Sequence, residues 1–377
     1  MKKIAILVVI SLMIFTVVTY ACSSFRITTT DKNVFYGRTL EWAVETGEQL
    51  FIVPVGTVYN GLLPEGTQGG MRWESKYGVV GVGALGLPLI VDGTNEAGLA
   101  CGLLNFAGYA DYQKYDPANK SRTIMQTEVP TWILTNFATV QEVRNNIGKI
   151  FVSQGNDKYA GQMQIHYTVH DKTGDSIVIE YIKGKLTVYD NPIGVMTNQP
   201  DFAWHLTNLK NYSSLRPTNA QSITIDGVQE AGFGQGNGMF GLPGDYTPAS
   251  RFVRLVALTA AAFPVTGADK GLALTMNIIN NIDIPAGAVR ATVQGQAAND
   301  TTWWVIISDL GRGRFYYRNY NDMNWRYIDL KQALAANKKV ATIPLYTEGQ
   351  YTNDTAKAVT VAKPTTNYYS FQNPKNK

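Results

Sequence analysis

The chain has 377 residues, of which 45% are apolar, 11% aromatic and 16% charged, so it can form a packed core and is not intrinsically disordered. The formal net charge is +4 and the basic residues form no run of five or more, which excludes the charge pattern of a nucleic-acid-binding protein. Two cysteines, Cys22 and Cys101, and three histidines are too few for a zinc ribbon, an iron–sulfur site or a disulfide scaffold.

The first 21 residues have the pattern of a secretory signal peptide. Lys2 and Lys3 form a positive n-region, residues 4–18 form an uncharged apolar segment, and the small residue Ala21 follows. We therefore predict that residues 1–21 are a signal peptide cleaved after Ala21. The mature protein would then be secreted or periplasmic, with no stable insertion in a membrane.

Two other interpretations of this segment stay open from the sequence. The apolar stretch is long enough to act as an uncleaved membrane anchor in a thinned bilayer. Alternatively, Cys22 could be lipidated, because a lipoprotein also carries cysteine directly after the cleavage site. Thr19 stands where lipoprotein signals usually have leucine, which disfavours that alternative.

The first half of the mature chain is predicted to contain mostly strands, because short apolar runs alternate with Gly, Asn and Asp. The predicted strands are residues 34–40, 51–55, 79–82, 89–91 and 99–106. Residues 130–149 have apolar positions at helical spacing, with Thr139 as a candidate cap for a second short helix. Three strands follow at 163–169, 176–181 and 185–189, and their hairpin turns are 171–175 and 183–184.

The second half returns to helices and then to strands. Residues 249–263 and 267–282 are predicted helices that end near Pro264 and Pro285. The last predicted strands are 302–308, 313–320 and 324–328. This order predicts a layered α+β fold in which helices cover stacked sheets. Since no linker or repeat divides the chain, we predict one domain over residues 22–377 with a polar tail at about 353–377.

A cysteine at the mature N-terminus can act as a nucleophile without a histidine partner. Its thiol has an ordinary pKa of about 8.5 and its α-amino group one of about 7.7 to 8, so one residue holds both nucleophile and base. If the strand at 34–40 runs back beside Cys22, Arg38 can lower the thiol pKa and Glu41 can hold or orient the amine. Surface ion pairing is the ordinary alternative for these two charges. Cys22 itself could also be only a cleavage or lipidation residue.

Several short segments follow Cys22 in a recognisable order. They are GRTLE at 37–41, DGTNEAGL at 92–99, GLLNF at 102–106, GVMTNQPDF at 194–202 and GLPGDYTPASRF at 241–252. In content, order and spacing they resemble the choloylglycine hydrolase family, N-terminal-nucleophile hydrolases that include conjugated bile salt hydrolases and penicillin V acylases. The resemblance extends over nearly the whole mature chain, and it implies a four-layer αββα sandwich.

The resemblance also implies roles for individual residues. Cys22 would be the nucleophile, with Arg38 and Arg251 as the cations that flank it. Asn198 would donate its side-chain amide to the developing oxyanion, and Asn105 would donate its backbone N–H. These roles together imply hydrolysis of a linear C–N amide bond through a thioester acyl-enzyme, with no metal or organic cofactor.

Substrate and assembly are less closely defined by the resemblance. Glu41 replaces an Asp that the family usually has, so the carboxylate lies one methylene further out. Asn105 favours a conjugated bile salt, since the family tends toward Asn there in bile salt hydrolases and toward Tyr in penicillin acylases. Penicillin V and N-acyl homoserine lactones are the alternative small-molecule substrates with an apolar acyl group. The family often forms homotetramers, and residues 199–250 are long enough to reach a neighbouring subunit. An alternative of another class is a non-catalytic surface lipoprotein acylated at Cys22.

Other sequence patterns do not indicate further chemistry. Residues 236–241 fit G-x-G-x-x-G, but no strand clearly precedes them and Pro243 disrupts any following helix, which disfavours a dinucleotide site. His166 and His170 are four apart in a predicted strand, hence about 13 Å apart, too far to share a metal ion. Cys101 lies in an apolar run and is expected to be a buried core thiol.

Overall fold

The structure is a computed structural model of the chain. It describes residues 21–43, 47–83, 89–155, 163–293 and 296–346, together with two short strands at 360–361 and 371–372. Of the predicted signal peptide, only Ala21 falls within these ranges. The predicted polar tail at 353–377 lies outside the described residues except for the two short strands.

The described residues form strands and helices with the following bounds. The strands are β1 (Ala21–Thr28), β2 (Val34–Trp42), β3 (Gln49–Val53), β4 (Val58–Leu62), β5 (Gln68–Glu74), β6 (Val79–Gly83), β7 (Ile90–Asn95), β8 (Leu99–Asn105), β9 (Thr123–Met125), β10 (Phe151–Ser153), β11 (Ile165–Asp171), β12 (Ser176–Ile182), β13 (Lys185–Asp190), β14 (Ile223–Ile225), β15 (Val228–Glu230), β16 (Ala291–Val293), β17 (Gln296–Ala298), β18 (Thr301–Asp309), β19 (Arg314–Asn319), β20 (Asp322–Asp329), β21 (Ala341–Pro344), β22 (Thr360–Val361) and β23 (Phe371–Gln372). The α-helices are α1 (Val129–Asn136), α2 (Val140–Asn146), α3 (Phe202–Leu209), α4 (Pro248–Ala261), α5 (Ala268–Ile279) and α6 (Leu330–Ala336).

The first large sheet contains the strand that carries Cys22. Its described strands are antiparallel, in the order β1, β2, β18, β19, β20. In the β1–β2 hairpin Cys22 lies opposite Leu40, and Ser24 lies opposite Arg38. Because side chains alternate between the faces of a sheet, Cys22 and Arg38 share one face and Glu41 lies on the other. The strand predicted at 34–40 therefore runs back beside the nucleophile candidate, which is the arrangement that the suggested roles of Arg38 and Glu41 require.

The second large sheet supplies the backbone that faces Cys22. Among the described residues its order is β13, β12, β11, β8, β7, β6, β3, β21, β22, and every neighbouring pair is antiparallel. The predicted turn between β12 and β13 is confirmed. Lys183 and Gly184 both have positive φ, 51° and 72°, which is the backbone of a two-residue hairpin turn.

The two sheets pack face to face with helices on the outside. Between them, Leu104 of β8 joins Trp304 of β18 in one apolar core, which also takes in Phe252 of α4 and Ile279 of α5 from the far face of the first sheet. A second core lies on the outer face of the second sheet, where α1 and α2 pack. This helix–sheet–sheet–helix order confirms the predicted four-layer α+β fold.

Local predictions were good where apolar periodicity was strong. The helices predicted at 249–263 and 267–282 correspond to α4 and α5, and Thr139 caps α2 by accepting the Glu142 N–H at 3.1 Å. The β4–β5 hairpin, α3 and α6 were not predicted from the sequence. These elements are short, so few apolar positions mark their period.

Two observations concern single residues and membranes. Cys101 is a fully buried free thiol in the second core, as predicted. In the part of the chain that the structure describes, no helix is long and apolar enough to cross a membrane.

Candidate active site

Cys22 lies on β1 with its thiol directed between the two sheets. It is only 2% exposed, and its Sγ accepts a hydrogen bond from Arg38 Nη2 at 3.3 Å. The same Nη2 donates to the carbonyl of Leu103 on β8 at 2.6 Å, so the arginine bridges from the first sheet to the second. The predicted neighbours Cys22 and Arg38 therefore meet at the centre of the sandwich.

The Arg38 guanidinium is held on its other side by a carboxylate that sequence reasoning did not assign to the site. Asp92 of β7 lies 3.3 Å from Arg38 Nε, and its Oδ2 also accepts a hydrogen bond from the Tyr36 hydroxyl at 2.6 Å. All three side chains are fully buried. Burial raises the pKa of Asp92 to about 7, although Arg38 acts in the opposite direction. The carboxyl group thus sits behind the cation and keeps it at the thiol.

A glycine makes room for this carboxylate. A Cβ atom at Gly102 would come within 2.0 Å of Asp92 Oδ2 and 2.6 Å of the Tyr36 hydroxyl oxygen. Any side chain there would displace the Asp92 carboxyl from Arg38. In the sequence, Asp92 and Gly102 are marked only as the first residues of the family-like segments at 92–99 and 102–106.

The Asn198 carboxamide connects the backbone of Cys22 to a second arginine and to the second sheet. Its Oδ1 accepts from the Cys22 backbone N at 2.9 Å and from Arg251 Nη2 at 2.6 Å. Its Nδ2 donates to the carbonyl of Asn105 at 2.9 Å, which uses one of the two N–H groups of the amide. Asn198 is fully buried, so its carboxamide orientation is set by these three partners.

Asn105 is the last residue of β8 and approaches Cys22 with its backbone. Its neighbour Phe106 donates its own N–H to Gln164 on the side of β11. Because successive N–H groups of a strand point in opposite directions, the Asn105 N–H points away from β11. It is hydrogen-bonded toward the Cys22 thiol and lowers the thiol pKa. The predicted backbone donor is therefore at the nucleophile candidate.

Arg251 reaches the site from α4. Its Nη1 donates to the Cys22 carbonyl and to Ser23 Oγ, both at 2.6 Å, and its Nε donates to the Tyr246 carbonyl at 2.9 Å. The start of the helix is set by the local sequence, because Thr247 caps it and Pro248 takes a first-turn position where no N–H is needed. The guanidinium thus clamps the backbone of Cys22 rather than its sulfur.

Glu41 is close to Arg251 and lies on the opposite face of the first sheet from the Cys22 thiol. Its Oε1 accepts a hydrogen bond from Thr302 Oγ1 at 3.1 Å. Burial raises the pKa of Glu41 to about 7, and Arg251 is the main group that lowers it. The carboxylate is thus positioned to balance the Arg251 cation beside the N-terminal strand.

Burial dominates the acidity of the Cys22 thiol. Desolvation raises the pKa of Cys22, and the nearby Glu41 carboxylate raises it further. Arg38, the Asn105 N–H and Arg251 each lower the pKa, but together they do not offset burial. As expected, Arg38 lowers the thiol pKa, but it offsets only part of the increase that burial causes. Burial thus leaves this thiol less acidic than an ordinary cysteine thiol.

The histidines form no metal site in the described residues, where no group of three or more His, Cys, Asp or Glu side chains is placed to hold an ion. His170 shares a hydrogen bond with Thr168 Oγ1 at 2.8 Å. His166 and His205 instead contact the backbone of the segment that carries Asn198.

Comparisons with known proteins agree with this geometry. A model of the linear amide C–N hydrolases of the choloylglycine hydrolase family matches residues 22–341. The bile salt hydrolase/transferase of Clostridium perfringens is 32% identical over 84% of this chain and 95% of its own length. The penicillin V acylase of Pectobacterium atrosepticum is 29% identical over 78% of this chain and 76% of its own. A solved variant of the conjugated bile acid hydrolase from Clostridium perfringens superimposes with a TM-score of 0.77, at 28% identity, and covers 88% of this chain and 99% of that one.

Proposed function

The chain belongs to the choloylglycine hydrolase family of linear amide C–N hydrolases, and we propose that it is a secreted or periplasmic conjugated bile salt hydrolase with an N-terminal cysteine nucleophile. The observation that carries the proposal is the position of Asn198. One carboxamide binds the Cys22 nitrogen, Arg251 and the end of β8. The proposed nucleophile, base and oxyanion donors thereby converge on one point.

In the proposed acylation step, Cys22 Sγ attacks the carbonyl carbon of the substrate amide while the thiol proton passes to the α-amino nitrogen of Cys22. The negative charge that develops on the carbonyl oxygen is stabilised by an N–H of the Asn198 amide and by the Asn105 backbone N–H. Collapse of this intermediate breaks the C–N bond, and the ammonium group of Cys22 returns its proton to the leaving amine. A thioester remains on Sγ.

In the proposed deacylation step, water attacks the thioester and gives its proton to the α-amino group. The C–S bond then breaks, the carboxylic acid leaves, and the ammonium group of Cys22 returns its proton to Sγ, which restores the thiol and the free amine. Arg38, which donates to Sγ at 3.3 Å, is the cation placed to stabilise the sulfur anion in both steps.

This mechanism requires removal of residues 1–21. When Ala21 precedes Cys22, the Cys22 nitrogen is part of a peptide bond and cannot accept a proton. Once freed, it becomes an amine with an ordinary pKa of about 7.7 to 8, suited to accept the thiol proton near neutral pH. The hydrogen bond from this nitrogen to Asn198 Oδ1 would hold it in place beside Sγ.

A conjugated bile salt is the proposed substrate class for two reasons. The bile salt hydrolase/transferase of Clostridium perfringens aligns over almost its whole length, and Asn105 stands at the position where the family tends toward Asn in bile salt hydrolases. Penicillin V is the second candidate, supported by the similarity to the acylase of Pectobacterium atrosepticum. N-acyl homoserine lactones are a further alternative of the same chemistry.

We also propose a homotetramer, with support from an exposed hairpin. Ile223 and Ile225 of β14 and Val228 of β15 are each more than half exposed, and all other residues of the hairpin are exposed as well. A two-stranded hairpin is at best marginally stable alone in water, and contact with another subunit would bury these apolar side chains.

The test is to express the full chain with its leader in a secreting host and to measure the intact mass of the product. A free Cys22 at the N-terminus supports the enzyme, and a diacylglyceryl group on Cys22 supports the lipoprotein alternative. The same preparation is then assayed on glycine- and taurine-conjugated bile salts, penicillin V and an N-acyl homoserine lactone. The Cys22→Ala variant is the matched control. A preference for penicillin V or the lactone would reject the bile salt assignment, and an active Cys22→Ala variant would reject the mechanism.

A further inference from the structure

Two of the three histidines bind consecutive backbone carbonyls at the segment that carries Asn198. The imidazole of His205 on α3 lies with Nε2 2.8 Å from the Asn198 carbonyl oxygen. His166 on β11 lies with Nε2 3.1 Å from the Thr197 carbonyl oxygen. Since a carbonyl oxygen only accepts, each ring carries its proton on Nε2 and donates it. Side chains from β11 and α3 thus hydrogen-bond to adjacent peptide groups.

Each ring is itself fixed by packing. The ring centroid of His205 lies 4.7 Å from that of Phe252 on α4, and the ring centroid of His166 lies 4.3 Å from that of Phe106, next to Asn105. Both histidines are fully buried. Water therefore does not compete for the two carbonyl groups, and loss of either donor would leave a buried acceptor without its partner.

A carboxylate completes the attachment of this segment. Glu180 Oε1 on β12 lies 3.2 Å from His166 Nδ1 and accepts the Phe202 backbone N–H at 3.0 Å. Glu180 thus contacts both His166, which holds the Thr197 carbonyl, and the backbone at the start of α3. The segment from Thr197 to the start of α3 is thereby held at three points.

The burial of His205 decides the protonation state in which it binds the Asn198 carbonyl. Burial lowers the pKa of His205 to about 4, so the ring is neutral at neutral pH and has a single N–H. That N–H is the one on Nε2. The lone pair of the neutral ring is then on Nδ1, which is buried and has no hydrogen-bond partner among the described residues, so the hydrogen bond that His205 makes here is the one to the Asn198 carbonyl.

We propose that His166 and His205 are positioning residues, which fix the backbone at Thr197 and Asn198 and so aim the Asn198 carboxamide at Cys22 and the substrate carbonyl. The proposal rests on the oxyanion role of Asn198 in the proposed function. A shift of the Asn198 backbone by a fraction of an ångström would move Nδ2 away from the oxyanion position. Oxyanion stabilisation depends on donors that are held in place before the reaction.

The experiment compares four variants of the mature enzyme. His205→Leu and His166→Leu remove the donors, and His205→Gln returns an N–H at nearly the position of Nε2. Trp73→Phe is the matched control, because it also removes a buried aromatic N–H donor, one that lies in the second core and donates to Thr135 Oγ1 at 3.0 Å. Measured quantities are kcat, KM, the melting temperature and the hydrogen exchange of the peptide at 194–202.

We expect the two donor-removing variants to lower kcat by about 10- to 100-fold with KM changed by less than about threefold, since only oxyanion stabilisation is lost. Hydrogen exchange at 194–202 should rise in both. His205→Gln should recover kcat to within about threefold of the wild type, and Trp73→Phe should keep kcat despite a lower melting temperature.

Three results would overturn the inference: a wild-type kcat in His205→Leu, no recovery in His205→Gln, or an equal loss of kcat in Trp73→Phe. Failure of the proposed function is recognised separately, because Cys22→Ala would then stay active or the wild type would hydrolyse none of the amides. If the proposed function fails, the hydrogen-exchange measurement still tests the positioning role of the histidines, because it needs no substrate. Protection at 194–202 unchanged by either donor-removing variant would show that the histidines do not hold the segment.

Discussion

At the scale of single residues, the acidity of Cys22 depends on opposing effects of burial and charge. Arg38 contacts the sulfur and Arg251 contacts the Cys22 carbonyl, yet burial keeps the thiol pKa raised. The two cations favour the charged thiolate, whereas desolvation favours the neutral thiol. Here desolvation has the larger effect on the thiol pKa. The Cys22 thiol is therefore less acidic than an ordinary thiol, and in the proposed mechanism the freed Cys22 amine is the base that removes its proton.

Asn198→Asp provides a sharp test of the donor role of the carboxamide. The carboxylate keeps an oxygen for the Cys22 nitrogen and for Arg251 but has no N–H for an oxyanion. We expect kcat on the preferred amide to fall by about 10²- to 10³-fold with little change in KM. Steady-state kinetics at neutral pH measure both quantities.

Asn198→Ala is the companion variant, which removes acceptor and donor together. If the donor carries the effect, the two variants lose similar activity. An Asp variant with wild-type kcat would contradict the assignment of Asn198 to the oxyanion.

At the scale of elements, a buried carboxylate outside the active site ties together the strands that flank the second core. Glu128 follows β9, and its Oε2 accepts the backbone N–H groups of Leu62 at 3.0 Å and Met125 at 2.9 Å. Its Oε1 has no hydrogen-bond partner among the described residues. Burial raises the pKa of Glu128 to about 8, although the two N–H groups act in the opposite direction.

This raised pKa makes folding stability depend on pH with a definite sign. The folded chain keeps the Glu128 proton between its ordinary pKa of 4.5 and about 8, while the unfolded chain releases it. The contribution of Glu128 to the free energy of unfolding is therefore fully present below pH 4.5 and is lost as the pH rises toward 8.

Glu128→Gln should remove this contribution because the amide does not titrate. We expect the difference in free energy of unfolding between variant and wild type to shift in favour of the variant by on the order of 1 to 3 kcal/mol from pH 5 to pH 8. Urea unfolding of both proteins at the two pH values gives the difference. A constant difference across this range would mean that Glu128 is ionised in the folded protein.

At the scale of the whole molecule, the β14–β15 hairpin is an exposed apolar feature that the proposed tetramer would bury. Its turn has the favoured Asp-Gly sequence, with φ of 49° at Asp226 and 85° at Gly227, so the hairpin is locally well specified. Its apolar side chains nonetheless face solvent, as do Phe233 and Phe240 beyond it. A defined but uncovered apolar element is typical of a surface that binds another subunit.

Replacing Ile223, Ile225 and Val228 together by Ser should reduce assembly without loss of the fold, because none of the three side chains belongs to either core. We expect the molar mass from light scattering to fall from that of a tetramer toward that of a dimer or monomer. Gln229→Ser, an exposed polar change on the same hairpin, is the control. A wild-type chain that is monomeric would refute the proposed assembly.

The sequence by itself determined the chemistry that is available and much of the local structure. A cysteine directly after a leader-like segment, the family motifs in order, and the strong apolar periods predicted the nucleophile candidate, the two arginines, Asn105, Asn198 and the four-layer fold. These signals are local, because a motif or an amphipathic period is complete within about ten to fifteen residues.

Only the tertiary structure decided how these residues act on one another. Arg251 reaches Cys22 across 229 positions and Asn198 reaches it across 176, so no local pattern records either contact. Asp92 behind Arg38, the Gly102 that makes room for it, and the two histidines that hold the Asn198 segment were all absent from the predicted site. Their effects arise from distance and burial within the folded chain, which desolvate the thiol and fix its partners, and these quantities exist only once the sheets have packed.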